Sequence, residues 1–461
     1  MMGGLAAEAD HRTEIVPLVD EGLGNSSYLV ALGDGRALVV DPRRDPTPYL
    51  ELGERLDLRI AFAAETHLHA DFISGSRELA GFGATILAPL ASHLAAAHRG
   101  LEDGEEVDLG GLTFRALATP GHTPEHLAYL LLDGQNPLAL FSGGAILPGG
   151  AARPDLIGPE QTGPLAHELY RSVHQRLGGL PDDLSVYPTH GAGSFCSVGT
   201  GGQRTTSLGR ERNQNPLFSG ASEGVVVRTL LEGLGTYPPY FLRLRTVNQR
   251  GARLYGLTPP ELTPLSVDAL RRHQAVGATL VDVRPFADFA RGHVPGALSI
   301  TLRPAFASWV GWIVPAERPL VFVRAPEQDS RDLVEQCLKI GYENLVGELE
   351  GGMEAWRAAS LPESLVALRQ VNEDLQGAPL DVRQASEWAG GHIPGARHVE
   401  LGSVVVSAST IPPGPLTIYC GHGERAMTAA SLLETQGREN LAVLDGGFDA
   451  WRDASQPIAI G

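Results

Sequence analysis

The sequence predicts an α/β fold throughout its 461 residues: an N-terminal α/β sandwich followed by two smaller α/β domains with parallel sheets. Three observations support this prediction. An internal repeat fills the C-terminal half, strand-like and helical patterns alternate within each copy, and many strands with few helices occupy the N-terminal half. At ordinary domain sizes the length accommodates three domains, with predicted boundaries at 1–255, 256–362 and 363–461.

The repeat consists of motifs that return in the same order: Asp282-Val-Arg and Gly292-His-Val-Pro-Gly-Ala as Asp381-Val-Arg and Gly391-His-Ile-Pro-Gly-Ala, then Gly351-Gly-Met-Glu-Ala-Trp as Gly446-Gly-Phe-Asp-Ala-Trp. A period of roughly 100 residues is too long for a solenoid and fits two tandem domains. The apolar runs predict strands at Thr279–Val283, Leu320–Val323 and Leu416–Tyr419. Helical patterns follow at Asp329–Ile340 and Arg425–Thr435.

The N-terminal half is richer in strands. Its apolar runs predict strands at Tyr28–Leu32, Ala37–Val40, Arg59–Ala63, Leu112–Leu117, His126–Leu132, Pro137–Phe141 and Leu184–Tyr187. The first two flank a Gly-Asp-Gly-Arg turn, which indicates a hairpin. Helices are predicted at Ser74–Gly81 and Pro164–Leu177, and Gly233–Gly251 is the predicted connection to the repeats.

Composition excludes several functional classes. The net charge of −18, from 36 basic and 54 acidic residues, argues against nucleic-acid binding, because phosphates would be repelled. No apolar run reaches the ~18 residues of a membrane helix, and the N-terminus does not resemble a secretory signal. Three widely spaced cysteines argue against a disulfide framework and favour a cytoplasmic location. A homodimer is left open.

The segment after the strand Leu416–Tyr419 is the most informative, and it reads Cys420-Gly421-His422-Gly423-Glu424-Arg425. Its glycines permit tight turns that point backbone N–H groups at the sulfur, while the helix dipole and the arginine favour a thiolate. Such a thiolate can carry a sulfane sulfur as a persulfide. We interpret Cys420 and Arg425 as catalytic and the four residues between them as substrate-binding. The alternative is a buried structural thiol.

The last repeat resembles the rhodanese family of sulfurtransferases. The resemblance covers most of residues 363–461 and rests on the Asp-Val-Arg, Gly-His-Ile-Pro-Gly-Ala, Cys-x-x-Gly-x-Arg and Gly-Gly-Phe-x-Ala-Trp motifs. Related cysteine phosphatases carry one residue more between Cys and Arg, so the shorter loop implies sulfur chemistry. The first copy has Arg324 in the place of the cysteine, and its Cys337 falls in a predicted helix. It resembles a non-catalytic rhodanese, with a role in packing or partner binding.

Histidines follow three of the predicted N-terminal strands: Thr66-His67-Leu-His69-Ala-Asp71, Pro120-Gly-His122-Thr and Pro188-Thr-His190-Gly. Histidines at strand ends converge on one edge of a sheet, where they can bind a metal ion. We interpret His67, His69 and His122 as metal ligands. Asp71 and His190 are interpreted as their supporting residues or as a second site.

These histidine motifs resemble the metallo-β-lactamase superfamily over about residues 13–220, and within it the persulfide dioxygenases fused to rhodaneses. The resemblance implies an αββα sandwich. It also implies a first metal at His67, His69 and His122, and a second at the positions of Asp71, Phe72 and His190. An aspartate shared by both metals stands where this chain has Gly144. Persulfide dioxygenases bind iron through the positions of His67, His122 and Gly144.

Neither Gly144 nor Phe72 can bind a metal ion, so the resemblance implies a degraded site that holds one iron or zinc ion, or none. The remaining imidazoles suit zinc better than iron. Asp155 is an acidic residue that could replace the missing aspartate. Cys196, six residues after His190, is interpreted either as a persulfide relay or as a buried loop cysteine.

The resemblances together imply a rhodanese-type sulfurtransferase coupled to a persulfide dioxygenase-like domain. Its donor would be thiosulfate or a glutathione-type persulfide, and its acceptor a thiol. No nucleic-acid or membrane partner is expected. Two alternatives stay open for the N-terminal domain: a scaffold that binds persulfidated thiols without turning them over, and a zinc-dependent thioester hydrolase.

Overall fold

The computed structural model describes residues 13–198 and 202–460. Two compact units divide the chain: Met1–Thr258 with Lys339–Gly341, and Pro259–Leu338 with Tyr342–Gly461. The first unit contains the predicted sandwich, and the second contains both copies of the repeat.

The first unit is rich in strands, as the sequence predicts. Its strands are β1 (Ile15–Asp20), β2 (Asn25–Ala31), β3 (Arg36–Val40), β4 (Arg59–Ala64), β5 (Thr85–Pro89), β6 (Arg99–Leu101), β7 (Glu106–Asp108), β8 (Leu112–Ala118), β9 (Leu127–Asp133), β10 (Asn136–Gly143), β11 (Ala151–Ala152), β12 (Ser185–Pro188), β13 (Ser197–Val198) and β14 (Thr206–Ser207). Its helices are α1 (Thr47–Arg55), α2 (Ser76–Gly81), α3 (Pro159–Arg171), α4 (Leu208–Gln214), α5 (Glu223–Glu232) and α6 (Phe241–Arg250).

Two sheets pack face to face in this unit, one in the order β1-β2-β3-β4-β5-β6 and the other β14-β12-β10-β9-β8-β7. Alternate side chains of each sheet point into a shared core, which includes Tyr28, Leu38, Phe114 and Phe141. The outer face of the first sheet packs on α1 and α2, and that of the second on α3 and α5. The result is the predicted αββα sandwich.

Each predicted strand of this unit is confirmed to within a few residues, but one predicted helix begins earlier and the predicted connection contains a helix. Helix α3 begins at Pro159 rather than Pro164, because a proline is well suited to the first helical position, and it continues as a π-helix over Ser172–Leu177. The predicted connection Gly233–Gly251 contains helix α6, which is stabilised by burial of Phe241 and Leu244.

The second unit contains two copies of the same arrangement of strands and helices. The first copy has strands β15 (Pro264–Leu265), β16 (Thr279–Asp282), β17 (Leu298–Ser299), β18 (Leu320–Val323) and β19 (Leu345–Leu349), with helices α7 (Val267–Ala275), α8 (Phe286–Arg291), α9 (Phe306–Ile313), α10 (Ser330–Lys339) and α11 (Gly352–Ala358). The second copy has β20 (Ala367–Arg369), β21 (Ala378–Asp381), β22 (Arg397–His398), β23 (Leu416–Tyr419) and β24 (Leu441–Leu444), with α12 (Ala385–Ala389), α13 (Glu424–Thr435) and α14 (Gly447–Asp453).

Both sheets of the second unit are parallel and share one strand order, β15-β19-β18-β16-β17 in the first copy and β20-β24-β23-β21-β22 in the second. In a parallel sheet all strand ends meet at one edge, where connecting loops converge. The residue after β23 therefore lies at this edge, beside the residues after β21.

The Asp-Val-Arg motif forms a buried ion pair in each copy. The Arg383 guanidinium lies 2.6 Å from the Asp381 carboxylate and also donates to the carbonyl oxygen of Gly391 at 2.7 Å. In the first copy, Arg284 makes the same contacts to Asp282 and Gly292, at 2.6 and 2.9 Å. This pair explains why the Asp-Val-Arg and Gly-His motifs repeat together: the arginine ties the strand end to the glycine loop.

Replacing Arg383 with alanine should strongly destabilise the protein, because Asp381 would keep a buried charge without its partner. We expect the free energy of unfolding in urea to fall by about 3–5 kcal/mol. The control is Arg291→Ala, which removes an exposed pair with Asp288 and should cost less than ~1 kcal/mol. Equal costs for the two variants would contradict this role of the buried pair.

Candidate active site and buried histidine cluster

The Cys420 loop joins the end of β23 to the beginning of α13. Cys420 follows the strand directly, and the backbone N–H of Gly423 donates to its sulfur at 3.1 Å. Gly423 caps α13 at φ +129°, a conformation that residues with a side chain rarely adopt. The sulfur therefore lies at the N-terminus of a helix, where backbone N–H groups and the helix dipole favour negative charge.

The Gly-Gly-Phe motif packs against the backbone of this loop and forms hydrogen bonds with it. Gly447, at φ +58°, packs so closely that a side chain there would overlap the carbonyl oxygen of Cys420. The backbone N–H groups of Phe448 and Asp449 donate to the carbonyl oxygens of Cys420 and Gly421 at 2.7 and 3.1 Å. These contacts hold the backbone of the loop on the side away from the Gly423 N–H that donates to the sulfur.

Arg425 lies beside the loop in a two-point ion pair with Glu387, at 2.7 and 2.8 Å. Burial acts to lower the pKa of Arg425, but Glu387 and the Cys420 sulfur outweigh it and raise that pKa. Burial acts to raise the pKa of Glu387, but the hydrogen bonds from Arg425 lower it. The guanidinium and the carboxylate are therefore both charged, and much of the arginine's charge is compensated. Sequence reasoning missed Glu387, although it occupies the N3 position of a capping box with Gln384.

The mouth of the loop carries the other predicted substrate-binding residues. His422 is 69% exposed, and its Nδ1 lies 3.2 Å from a carboxylate oxygen of Asp449. Glu424 lies 3.9 Å from Arg303 of the first copy. Of the six predicted residues, Cys420 to Gly423 form the loop, and Glu424 and Arg425 begin helix α13.

Two aromatic residues of the first copy border the loop and were not found from the sequence. The Phe286 ring packs against Gly423, where a side chain would meet the ring at about 2.7 Å. The Arg425 guanidinium lies 5.8 Å from the centre of the Trp309 ring, within the range of a cation–π contact. The copy that lacks the cysteine therefore forms one wall beside it.

The first copy carries an ion pair where the second carries its cysteine loop. The Arg324 guanidinium is bound by the Glu348 carboxylate at 2.7 and 2.9 Å. Cys337 lies in helix α10 and is fully buried, as expected of a core residue, and burial raises the pKa of its thiol.

The predicted histidines of the first unit form one buried cluster at the strand ends. His67 and His69 follow β4, His122 follows β8, and His190 follows β12. The centre of the His67 ring lies 4.2, 4.7 and 5.3 Å from those of His69, His122 and His190. None of the four is more than 2% exposed. The described residues therefore contain histidine-rich groups that could hold a metal ion, one of them His67, His69 and His190.

Hydrogen bonds orient the His67 and His122 rings. His67 Nδ1 lies 2.8 Å from the hydroxyl oxygen of Thr66, which itself donates to Asp41. His122 Nδ1 donates to the carbonyl oxygen of Arg153 at 2.7 Å, and its Nε2 has no hydrogen-bond partner among the described residues. Burial and neighbouring imidazoles lower the pKa of His67 and of His122 well below the usual range, so both rings are neutral.

His69 differs because two carboxylates contact it. Its Nε2 lies 3.2 Å from Asp41 and 3.1 Å from Glu65. Burial acts against the charged ring, but the carboxylates raise the pKa of His69 to about 10. The opposite nitrogen, Nδ1, has no hydrogen-bond partner among the described residues, so a metal ion there would replace a proton. Sequence reasoning missed both carboxylates. Asp41 follows β3 rather than β4, so no local pattern connects it with His69.

Asp71 and Asn25 hold the remaining histidine. His190 Nδ1 lies 3.3 Å from Asp71 and 3.1 Å from the side-chain oxygen of Asn25, while its Nε2 faces His67 Nε2 at 3.3 Å. Burial acts to raise the pKa of Asp71, but His190 lowers it. Asp71 therefore orients a histidine.

Gly144 and Phe72 stand where the resemblance implies metal ligands, and neighbouring side chains occupy the space around them. A side chain on Gly144 would begin about 2.8 Å from both the His122 ring and the Ala152 side chain. Phe72 stacks on His69, with ring centres 4.2 Å apart. Asp155 does not reach the cluster as a substitute carboxylate, because Arg153 binds it at 2.7 and 2.8 Å.

Two residues complete the cluster. His126 Nδ1 lies 2.8 Å from Thr119 Oγ1, and its Nε2 accepts from the backbone N–H of Gly144 at 2.9 Å. Sequence reasoning missed this histidine, although its position four residues after His122 was a signal. Cys196 is fully buried, and burial together with the Asp71 carboxylate raises the pKa of its thiol well above the usual range.

Comparisons with known proteins find relatives of both units of the chain. The family described as Rhodanese-like domain matches residues 266–359 and 364–454. The human mitochondrial persulfide dioxygenase ETHE1 is 32% identical over 205 residues, which are 43% of this chain and 74% of that protein. A hydroxyacylglutathione hydrolase of Pseudomonas entomophila (strain L48) is 36% identical over 156 residues, 34% of this chain and 57% of that protein.

A solved structure covers more of the chain. The crystal structure of a metallo-beta-lactamase from Staphylococcus aureus subsp. aureus COL matches with a TM-score of 0.65 and 27% identity, over 74% of this chain and 99% of that one. The fold and sites thus define a metallo-β-lactamase-fold protein with two rhodanese-like domains, a domain class of sulfurtransferase enzymes. The chain belongs to the persulfide dioxygenase family of that fold, in a form fused to rhodanese-like domains. No helix in its described part is long and apolar enough to cross a membrane.

Replacing Gly447 with alanine should destabilise the Cys420 loop, because the new side chain meets the Cys420 carbonyl group in a left-handed conformation. Gly437→Ala is a matched control: its φ is +79°, but nothing lies within 4 Å of the added carbon. We expect the control to cost about 1 kcal/mol of unfolding free energy in urea and Gly447→Ala about 2 kcal/mol more. Equal costs would mean that the close approach does not hold the loop.

Proposed function

We propose that this chain is a sulfurtransferase in which Cys420 carries the transferred sulfur. The Cys420 thiolate attacks the outer sulfur of thiosulfate or of a small persulfide. The sulfur–sulfur bond of the donor breaks, sulfite or a thiolate leaves with the electron pair, and Cys420 becomes a persulfide. An acceptor thiolate then attacks the terminal sulfur and restores the Cys420 thiolate. The contact between Gly423 N–H and the sulfur carries this proposal, because it marks a helix N-terminus built around a thiol.

The other loop residues supply the electrostatics and the entrance. Arg425 places a charged guanidinium beside the sulfur, where it favours the thiolate, the persulfide anion and an anionic donor. The backbone of Gly421 and Gly423 cradles the donor, and exposed His422 meets it first at the mouth. Glu424 sets the width of the mouth through its contact with Arg303.

The middle domain contributes to the proposed active site. We propose the domain boundaries 1–255, 256–362 and 363–461, with the catalytic cysteine, Cys420, in the last domain. The middle domain acts as a wall of the active site, since its Phe286 and Trp309 border the cysteine loop. The acceptor is a thiol.

The iron centre implied by the family does not fit the residues present in the first domain. A 2-His-1-carboxylate centre needs an acid at position 144, where Gly144 leaves no side chain, and Asp155 is bound by Arg153. The four histidines are also buried, each at most 2% exposed. We propose a persulfide dioxygenase-like fold that acts as a non-catalytic scaffold, and we derive no oxygen-transfer step and no hydrolytic step from it.

Replacing Cys420 with serine should abolish sulfur transfer from thiosulfate to a thiol, because a serine hydroxyl cannot carry the persulfide. The assay follows sulfite release during the first turnover, and we expect the rate to fall at least about a thousandfold. Cys337→Ser, at a buried thiol outside the loop, should keep the wild-type rate per folded molecule. Sulfite release by Cys420→Ser at the wild-type rate would overturn the proposed function.

Replacing Glu387 with glutamine should leave the Arg425 charge uncompensated and so strengthen binding of the anionic donor. We expect the KM for thiosulfate in sulfite release to fall about two- to fivefold. Glu439→Gln, at an exposed residue of the same domain, serves as the control and should keep the wild-type KM. A higher KM would show that Glu387 does not restrain Arg425.

A further inference from the structure

Cys196 lies in the histidine cluster, and the proposed sulfur transfer at Cys420 does not use it. One donor atom from each of His122, His190 and Cys196 lies within 4.8 Å of the other two. All three side chains are at most 1% exposed, so water does not satisfy them. Two imidazoles and a thiol at this spacing, away from solvent, are donors typical of a zinc site.

The imidazoles already present lone pairs toward one another. His122 Nδ1 donates to the Arg153 carbonyl group, which leaves its Nε2 as an acceptor without a partner in the described part of the chain. His190 Nδ1 donates to the side-chain oxygen of Asn25 at 3.1 Å and faces the Asp71 carboxylate, so its Nε2 is an acceptor in the neutral ring. These are the hydrogen bonds that normally fix the tautomer of a metal-binding histidine.

His67 provides a third such nitrogen. The Thr66 hydroxyl donates to Asp41 and therefore accepts from His67 Nδ1, which leaves the lone pair on Nε2. That nitrogen lies 3.3 Å from His190 Nε2. Two lone pairs at this distance repel each other unless a proton or a cation lies between them, and a cation would also satisfy the buried His122 Nε2.

A short two-stranded sheet holds Cys196 next to His122. Strands β11 and β13 pair Ala151 with Val198 and Ala152 with Ser197, directly after Cys196. The backbone N–H of Arg153 donates to the Cys196 carbonyl oxygen at 2.8 Å, and the Arg153 carbonyl group holds His122. One backbone segment thus fixes both the thiol and the imidazole.

We propose that His122, His190 and Cys196 bind a zinc ion, and that His67, whose Nε2 lies 3.3 Å from His190 Nε2, moves in as the fourth ligand. The thiolate supplies an anionic ligand in a site that lacks a carboxylate at position 144. On binding, the Cys196 thiol gives its proton to solvent and the sulfur donates its electron pair to zinc, with no change of oxidation state. Four protein ligands leave no position for a substrate, so the ion stabilises the first domain rather than acting as a catalyst.

The test uses the full chain, freed of metal with a chelator under reducing conditions and titrated with Zn²⁺ and, separately, with Co²⁺. We expect one ion per chain, an increase in the melting temperature with Zn²⁺, and a sulfur-to-cobalt charge-transfer band with Co²⁺. Cys196→Ser should lose that band and bind Zn²⁺ at least tenfold more weakly. Cys337→Ser, at the other fully buried thiol, is the matched control and should keep both properties.

Three results would overturn the proposal: a Co²⁺ complex of the wild-type chain without a sulfur charge-transfer band, absence of metal binding, or one iron per chain bound equally well by Cys196→Ser. The wild-type cobalt spectrum decides the question even where Cys196→Ser does not fold. Sulfite release at Cys420 is measured on the same samples, so failure of the zinc proposal is distinguished from failure of the sulfur-transfer proposal.

Discussion

A polar group buried away from water must find a partner, and in this chain that requirement decides which segments approach each other. In each rhodanese-like domain a buried aspartate at the end of a central strand is paired with the arginine two residues later, and that arginine also binds a glycine carbonyl group. The pairing fixes the sheet edge at which the Cys420 loop emerges. The carbonyl groups of Cys420 and Gly421 are satisfied by the backbone after Gly447, and the N–H of Gly423 donates to the sulfur.

The same requirement distinguishes the two sites. At Cys420, Arg425 and Glu387 compensate each other, so the loop is electrostatically stable before any substrate arrives, and the exposed side chain of His422 marks its entrance. In the histidine cluster, Asp41 and Glu65 compensate His69, but several buried polar atoms have no hydrogen-bond partner among the described residues. A site with an exposed entrance is suited to turnover, whereas a buried cluster with unmatched donors is suited to holding an ion.

Much of this arrangement could be predicted from the sequence, because its signals are local. The repeat, the strands and the glycines around Cys420 gave the rhodanese-like fold, and histidines at strand ends gave the cluster. What could not be predicted are contacts between distant segments: Glu387 with Arg425, Phe286 and Trp309 beside the loop, and Asp41 with His69. Helix α6 was missed because only tertiary burial of Phe241 and Leu244 distinguishes it from a connection.

The most direct test of the account locates the sulfur itself. The protein is incubated with thiosulfate, alkylated to trap persulfides, digested and analysed by mass spectrometry. The account predicts one additional sulfur atom on the peptide that contains Cys420 and none on the peptides that contain Cys196 or Cys337. An additional sulfur on Cys196, or none on Cys420 under conditions in which sulfite is released, would contradict it.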